Sequence, residues 1–249
     1  MDGSNDNGPT SFGASMQQAS SPTPPTHMHG LTLEGVRLQR GRTVVFDGLS
    51  LQLNEPRIGL IGDNGAGKTS LFRLLCGLDQ PQVGHVQVPE GAQAVGMMFQ
   101  NPDDQIIFPT VEEELGLSLQ STSLTRAQVQ QQVHQVLQTR GLLHWATRAI
   151  SSLSQGQRQQ VCWLALSLAP HRVLLLDEPF ASLDLPGQAL LKQEIAQAPQ
   201  QVLVSTHVLA HVRHFERVIW LDQGRVRADG AGVDVCAAYE ADVALRAAA

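Results

Sequence analysis

Hydrophobic residues recur along this chain with two different periods. Two stretches, LTLEGVRLQ from Leu31 and TVVFDGLSLQL ending at Leu53, alternate apolar and polar residues on either side of a short turn at Arg40-Gly41-Arg42. This alternation predicts an antiparallel pair of strands. Shorter runs that are apolar throughout, RIGLI, VLLLD and QVLVS, are typical of strands buried on both faces of a parallel sheet. The pattern predicts an α/β fold with an antiparallel β subdomain.

Stretches with helical spacing fill the remainder of the chain. They dominate between about 101 and 165, where we expect a helical subdomain inserted into the α/β domain. Thr110-Val111-Glu112-Glu113 is a capping-box pattern, and Ser154 with Gln157 makes an S-x-x-Q box before a helix that closes near Pro170. Further helices are predicted in PGQALLKQEIAQA, in VLAHVRHFE and in the alanine-rich C-terminus. VGHVQVPEG and AQAVGMMFQ predict short strands, the second ending at Gln100, and VIWLDQGRVRADG predicts a closing hairpin.

One predicted helix, which follows Thr125, has an unusual polar face. Its two faces are Val129, Val133, Val136 and Leu137 on one side, and Gln130, Gln131, Gln135 and Gln138 on the other. The glutamine face is polar but almost uncharged, and we interpret it as solvated rather than as a partner surface.

Composition narrows the class of protein. Among 249 residues, 42% are hydrophobic, which supports a sizeable core, and the net charge of −6 argues against a nucleic-acid partner. Residues 1–29 are rich in Gly, Ser, Pro and Thr without apolar periodicity, so we expect a disordered tail before a domain at 30–249. Neither a spanning helix nor a secretion signal is predicted, and the three scattered cysteines indicate reduced core residues. We expect a cytosolic chain, or one held at a membrane by a partner.

The stretch GLIGDNGAGKTSL carries the strongest chemical signal. Gly62 to Thr69 fits G-x-x-x-x-G-K-[ST] between a predicted strand and a predicted helix, the context that a phosphate-binding loop requires. Glycines let consecutive N–H groups point at phosphate oxygens, Lys68 reaches the β- and γ-phosphates, and the Thr69 hydroxyl holds Mg²⁺. The loop predicts ATP and Mg²⁺ as ligands, with the nucleotide contacted by Gly62, Asp63, Asn64, Gly65, Ala66, Gly67, Lys68, Thr69 and Ser70.

Other candidate residues stand where predicted strands end. Asp177 and Glu178 close an apolar run, and carboxylates there are costly to bury without a cation. Asp177 is predicted to bind Mg²⁺, and Glu178 to orient or deprotonate the attacking water. His207 holds a matching position after the next strand and is predicted to sense the γ-phosphate. Gln100 is predicted to join the coordination shell of Mg²⁺ or the groups that surround the attacking water.

Together these motifs resemble the nucleotide-binding subunit of ABC transporters over about residues 31–230. The stretch LSQGQ (Leu153 to Gln157) discriminates this family from other phosphate-loop enzymes. The resemblance implies a head-to-tail dimer, with itself or with a paralogous ATPase. In that dimer Ser154, Gly156 and Gln157 of one subunit cover the ATP of the other, and Asp184 communicates across the interface. ATP closes the dimer and hydrolysis opens it.

Two positions depart from the family pattern. Gln155 stands where the family has glycine, so that the backbone donors remain but the dihedral freedom of glycine is lost. Arg40 occupies the place of an aromatic residue that stacks on adenine, and a guanidinium is also able to stack on a base.

The segment FQNPDDQIIFPTVEEEL (Phe99 to Leu115) is similar to that of the ATPases of energy-coupling-factor importers. There it meets a transmembrane coupling subunit, and a second membrane subunit binds the substrate, so the resemblance implies a peripheral position on the cytoplasmic face of the membrane. The short C-terminus is similar to that of the ATPases of biotin importers. Cobalt or nickel import, and a soluble ABC ATPase without a transporter, remain the alternatives.

Overall fold

The computed structural model describes residues 30–248. The stretch 1–29, for which a disordered tail is predicted, lies outside these residues. The nine strands are β1 (Leu31–Arg40), β2 (Thr43–Leu53), β3 (Arg57–Ile61), β4 (Val83–Gln87), β5 (Val95–Met98), β6 (Val173–Asp177), β7 (Gln201–Ser205), β8 (Arg217–Asp222) and β9 (Arg225–Gly230). The six α-helices are α1 (Lys68–Leu75), α2 (Val111–Leu117), α3 (Arg126–Thr139), α4 (Gln155–Leu168), α5 (Leu185–Gln197) and α6 (Gly232–Ala247).

The strands form two sheets. A three-stranded antiparallel sheet has the order β2-β1-β4, and a six-stranded sheet has the order β5-β6-β7-β3-β8-β9. The first five strands of the larger sheet are parallel, while β9 pairs antiparallel with β8. Four neighbouring parallel strands, β5, β6, β7 and β3, therefore bring their carboxyl ends to one edge, where open α/β sheets place ligands.

Both faces of the larger sheet are covered. On one face, Leu71, Phe72 and Leu75 of α1 pack between the two sheets. On the other face, buried residues of α4, α5 and α6 form a second cluster, and the free thiols of Cys162 and Cys236 lie in it. Strands covered on both sides need apolar residues at every position, which explains the uninterrupted runs in β3, β6 and β7.

The segment between β5 and β6 forms a third cluster. Helices α2 and α3 and one face of α4 pack together around Val111, Leu115, Val133, Leu137 and Leu164. The four glutamines of the polar α3 face are all exposed, as the solvated interpretation predicts. None of the helices in the described range is long and apolar enough to cross a membrane.

Three local predictions differ from the structure. The Thr110 capping box does not form. The Thr110 hydroxyl donates to the Glu113 carboxylate at 2.6 Å, and the Ala146 carbonyl accepts the N–H of Glu112. Strand β5 is shorter than predicted at both ends. Residues 92–94 before it form a 3-10 turn, and the strand ends at Met98, two positions before Gln100. VLAHVRHFE forms only a 3-10 turn at Leu209–His211 rather than a helix.

Candidate nucleotide-binding site

The loop between β3 and α1 is shaped by glycines. Gly62, Gly65 and Gly67 have φ values of 142°, 82° and 108°, a region that residues with a Cβ seldom adopt. A Cβ at Gly62 would lie 2.1 Å from the Leu221 carbonyl oxygen, so the loop sits directly on β8. The Gly224 N–H, in the β8–β9 turn, donates to the Ala66 carbonyl at 3.1 Å. The loop is fixed by its own conformation and by the neighbouring hairpin.

Lys68 lies inside the curve of this loop. Its Nζ donates to the carbonyl oxygens of Gly62 at 2.7 Å and Asp63 at 3.1 Å, and the residue is only 8% exposed. Burial lowers the pKa of Lys68, and the nearby carboxylates of Glu178 and Asp177 oppose that shift. The ammonium group is therefore held at the loop, where an anionic ligand strengthens its charged form.

Thr69 and Asp177 meet at the edge of the sheet. The Thr69 Oγ1 donates to the Asp177 Oδ2 at 2.6 Å, and Asp177 is 3% exposed at the end of β6. A hydroxyl and a carboxylate oxygen are the hard donors that Mg²⁺ selects, and Mg²⁺ takes its other ligands from phosphates and water. Within residues 30–248 no group of three or more His, Cys, Asp or Glu side chains is placed to hold a metal. The donor set fits Mg²⁺ bound together with a nucleotide.

Glu178 and His207 form a pair beside this position. Glu178 has a left-handed backbone with φ of 48°, is 9% exposed, and donates its N–H to the Ser205 carbonyl at 3.0 Å. Its Oε2 lies 2.9 Å from the Nδ1 of His207, whose side chain is 64% exposed. A non-glycine residue in this conformation is uncommon and occurs often at functional sites. The turn aims a nearly buried carboxylate into the cleft.

These groups line one open cleft of about 610 Å³. The structure gathers there most of the residues predicted from the loop and the strand ends, together with two that the sequence did not indicate. The lining consists of Gly62, Asp63, Asn64, Gly65, Gly67, Lys68, Thr69, Ser70, Gln100, Asp177, Glu178 and His207, with Val45 and Tyr239 as the additional residues. Ala66 is buried beneath the loop.

Arg40 is not brought to this cleft. Its guanidinium pairs with Asp79, which lies beyond the C-terminal end of α1 and also binds Arg73. That Arg40 stacks on adenine stays a prediction, and in this structure its side chain is engaged away from the cleft. Val45, on the next strand, is the antiparallel-sheet residue that faces the nucleotide cleft.

The LSQGQ stretch lines a separate cavity of about 570 Å³. Ser154, Gly156, Gln157 and Asp184 all border it, and none of the four borders the cleft. Ser154 and Gln157 form a reciprocal capping box at the start of α4. Asp184 caps α5 by accepting the Gly187 N–H at 2.9 Å. The residues predicted around the phosphate loop thus line one cavity and those predicted around LSQGQ line another, and the two cavities are separate within one chain.

Gln155 causes no strain in this arrangement. It is the first residue of α4 and is exposed, and it does not have a positive φ. The dihedral freedom of glycine is therefore not needed at this position. Gly156 is the constrained position, because a Cβ there would lie 2.7 Å from the Ser182 carbonyl oxygen.

Comparisons with known proteins agree with this geometry. Residues 46–181 match the family described as "ABC transporter". The chain is 41% identical to the biotin transport ATP-binding protein BioM of Rhodobacter capsulatus, over 85% of this chain and 94% of that protein. It is 34% identical to the energy-coupling factor transporter ATP-binding protein EcfA of Methanoculleus marisnigri, over 82% and 79% of the two chains.

The fold is also that of a solved structure, cbiO1 of Clostridium perfringens, described as part of the ABC transporter complex cbiONQ. The TM-score is 0.71 at 24% identity, covering 86% of this chain and 92% of that one. The chain belongs to the ATP-binding subunits of ABC transporters. It is an ABC ATPase related to the ATPases of energy-coupling-factor importers.

Proposed function

We propose that this chain is the ATP-hydrolysing subunit of an energy-coupling-factor importer whose cargo is biotin. It belongs at the cytoplasmic face of the membrane, bound to a transmembrane coupling subunit and a substrate-binding membrane subunit. In this proposal residues 30–249 form one ATPase domain, with the helical subdomain at about 101–165. The observation that carries the proposal is the convergence of four strand ends on the cleft that holds Lys68, Thr69, Asp177 and Glu178.

The cleft residues divide the work of phosphoryl transfer. N–H groups of the loop and the Lys68 ammonium bind the phosphates, and the dipole of α1 adds to their attraction. Thr69 and Asp177, with Gln100 nearby, hold Mg²⁺, which when bound neutralises charge on the phosphate oxygens. Glu178 accepts a proton from the attacking water. His207 contacts the Glu178 carboxylate and orients it toward the γ-phosphate.

The separate LSQGQ cavity supports a head-to-tail dimer. The Ser154 oxygen accepts the Gln157 N–H at 3.2 Å, so the hydroxyl proton remains available to a further acceptor. The first N–H groups of α4 are available in the same way, and a helix start of this kind attracts an anion. In the proposed dimer that anion is the γ-phosphate in the cleft of a second copy or of a paralogous ATPase.

The segment after Gln100 is a suitable surface for the membrane partner. Glu114 accepts the N–H groups of Ile107 and Phe108 at 2.9 Å and 2.8 Å, which fixes the segment. The Ile107 side chain is nevertheless 74% exposed. Asp103 in the same segment pairs with Arg158 of α4 at 3.3 Å. In the proposed complex this ion pair links α4 to the exposed segment.

Biotin is proposed as the cargo because the biotin transport ATP-binding protein BioM of Rhodobacter capsulatus is 41% identical over 85% of this chain. Neither the cleft nor the LSQGQ cavity would contact a transported substrate, so the cargo has to be tested on the assembled complex.

The test is capture of the tagged full-length chain from detergent-solubilised membranes, followed by identification of its partners and measurement of retained biotin. We expect two multi-span proteins and biotin, with less capture for Ile107→Ser. Val233→Ser is the matched control, since Val233 on α6 is also exposed, at 60%. Retained cobalt or nickel would contradict the biotin assignment. Recovery only in the soluble fraction would contradict import altogether.

A further inference from the structure

The carboxylate of Asp63, within the phosphate loop, is bound by the C-terminal helix. The Tyr239 hydroxyl donates to Asp63 Oδ1 at 2.6 Å, and Arg246 Nη1 donates to Oδ2 at 2.6 Å. Both partners come from α6, more than 170 residues later in the chain. The backbone carbonyl of Asp63 accepts from Lys68 Nζ and from the Ala66 N–H. One residue thus joins the loop's internal hydrogen bonds to a distant helix.

The helix that supplies these contacts is itself firmly placed. Val235 and Cys236 are buried against the larger sheet. The Tyr239 ring packs edge-on against Trp220 of β8, with 5.2 Å between ring centroids. These contacts hold the hydroxyl in position, so its bond to Asp63 requires little further ordering.

The contacts of Asp63 with Tyr239 and Arg246 also affect the charge that a bound phosphate would meet. A carboxylate beside a phosphate site repels the ligand unless a cation balances it. Arg246 supplies that charge, and hydrogen bonds from Arg246 and Tyr239 hold the pKa of Asp63 below its usual value. Arg246 is oriented in turn by Asp242 at 2.8 Å, and Asp242 is bound by Arg227 at 2.8 Å. The network continues to the β8–β9 hairpin on which the loop rests.

We propose that Tyr239 and Arg246 are positioning residues for ATP, which fix the phosphate loop through Asp63 and neutralise its charge. This inference rests on the proposed role of the cleft as the ATP site. It assigns α6 a function in nucleotide affinity, in addition to the functions of the loop motif and of the strand-end residues. Tyr239 also forms part of the cleft wall.

The experiment measures the affinity of the purified full-length chain for Mg²⁺ and the non-hydrolysable analogue AMP-PNP by calorimetry at low salt. Arg246→Met removes the charge and keeps the stem. We expect affinity to fall by up to about fivefold, the upper end of the range for a solvent-exposed ion pair. Arg246→Lys should restore most of the affinity, and Tyr239→Phe should weaken it about twofold through loss of one hydrogen bond. Glu240→Gln is the control, because Glu240 lies on the same helix and pairs with Arg213.

The decisive comparison repeats Arg246→Met in an Asp63→Asn background. If Arg246 acts by balancing Asp63, the substitution has no further effect once the carboxylate is gone. An equal loss in both backgrounds, or no loss in the native background, would overturn the inference. Absence of binding by the unaltered chain would instead overturn the proposed ATP site, so the two failures are distinguishable.

Discussion

Replacing Gly156 with alanine tests whether the start of α4 must touch the loop before α5. The new Cβ would lie 2.7 Å from the Ser182 carbonyl oxygen, and the next atom is at 3.7 Å. A backbone oxygen has no rotamer by which to withdraw, so the two segments must separate by about half an ångström. Overpacking of this kind costs about 1–3 kcal/mol, and the better helix propensity of alanine returns about 1 kcal/mol. The expected net loss of stability is about 0–2 kcal/mol.

The effect on turnover is expected to be much larger. In the proposed dimer the same contact sets the distance between Ser154 and Asp184 at the partner's γ-phosphate. A small displacement of catalytic geometry lowers rates by as much as about a hundredfold. AMP-PNP affinity should remain unchanged, because Gly156 does not line the cleft. Steady-state ATPase activity, urea denaturation and calorimetry measure the three quantities.

Gly116→Ala is the matched control. In α2 the nearest atom to its new Cβ is Val129 Cγ1 at 3.5 Å, an ordinary contact. The substitution should stabilise the protein by about 0.5–1 kcal/mol and leave ATPase activity unchanged. Full activity in Gly156→Ala would refute the reasoning, and equal stabilisation by both alanines would show that the Ser182 contact imposes no constraint.

Three further predictions concern single side chains. Lys68→Ala should weaken AMP-PNP binding at least about tenfold through loss of charge-assisted bonds, and unchanged affinity in calorimetry would contradict the phosphate-loop assignment. Glu178→Gln should keep ATP binding but abolish turnover and trap a dimer in size-exclusion chromatography, whereas a monomer with normal turnover would contradict its role as the base. Burial lowers the pKa of His211 to about 4, so below pH 6.5 the unfolded chain binds the extra proton and stability falls as pH falls toward 4. The expected loss is about 1.2 kcal/mol at pH 5.5 relative to pH 7, and His211→Gln should remove it in urea titrations.

The parts of the structure that depend on local sequence were predictable. The motif from Gly62 to Thr69 joins β3 to the first residues of α1 as it requires, and the Ser154 box forms both of its hydrogen bonds. Apolar runs located β6 and β7, and adjacency in a parallel sheet then brought Asp177 close to the phosphate loop. Each of these inferences needed only neighbours in the chain or the rule that strand ends share an edge.

The errors arise where a tertiary partner competes with a local one. At Thr110 the carbonyls of residues 146 and 148 accept the first two N–H groups of α2, and the Thr110 hydroxyl donates to the Glu113 carboxylate instead of accepting an N–H. Arg40 pairs with Asp79, a partner that its place in the chain does not indicate. The contacts of Tyr239 and Arg246 with Asp63 had no local signal, since α6 is an alanine-rich helix whose position depends on packing against β8.

The separation of the two cavities explains why the predicted variants divide into two classes. The cleft contains the Lys68 ammonium, the proposed metal ligands and the Glu178 carboxylate, so we expect one chain to be sufficient to bind a nucleotide. The LSQGQ cavity contributes the Ser154 hydroxyl and the start of α4, which have no phosphate to bind within their own chain. Changes at Lys68 or Arg246 should therefore alter affinity in a single subunit. Changes at Gly156 should lower turnover and leave affinity unchanged, because in the proposed dimer a second subunit brings its donors to the first subunit's γ-phosphate.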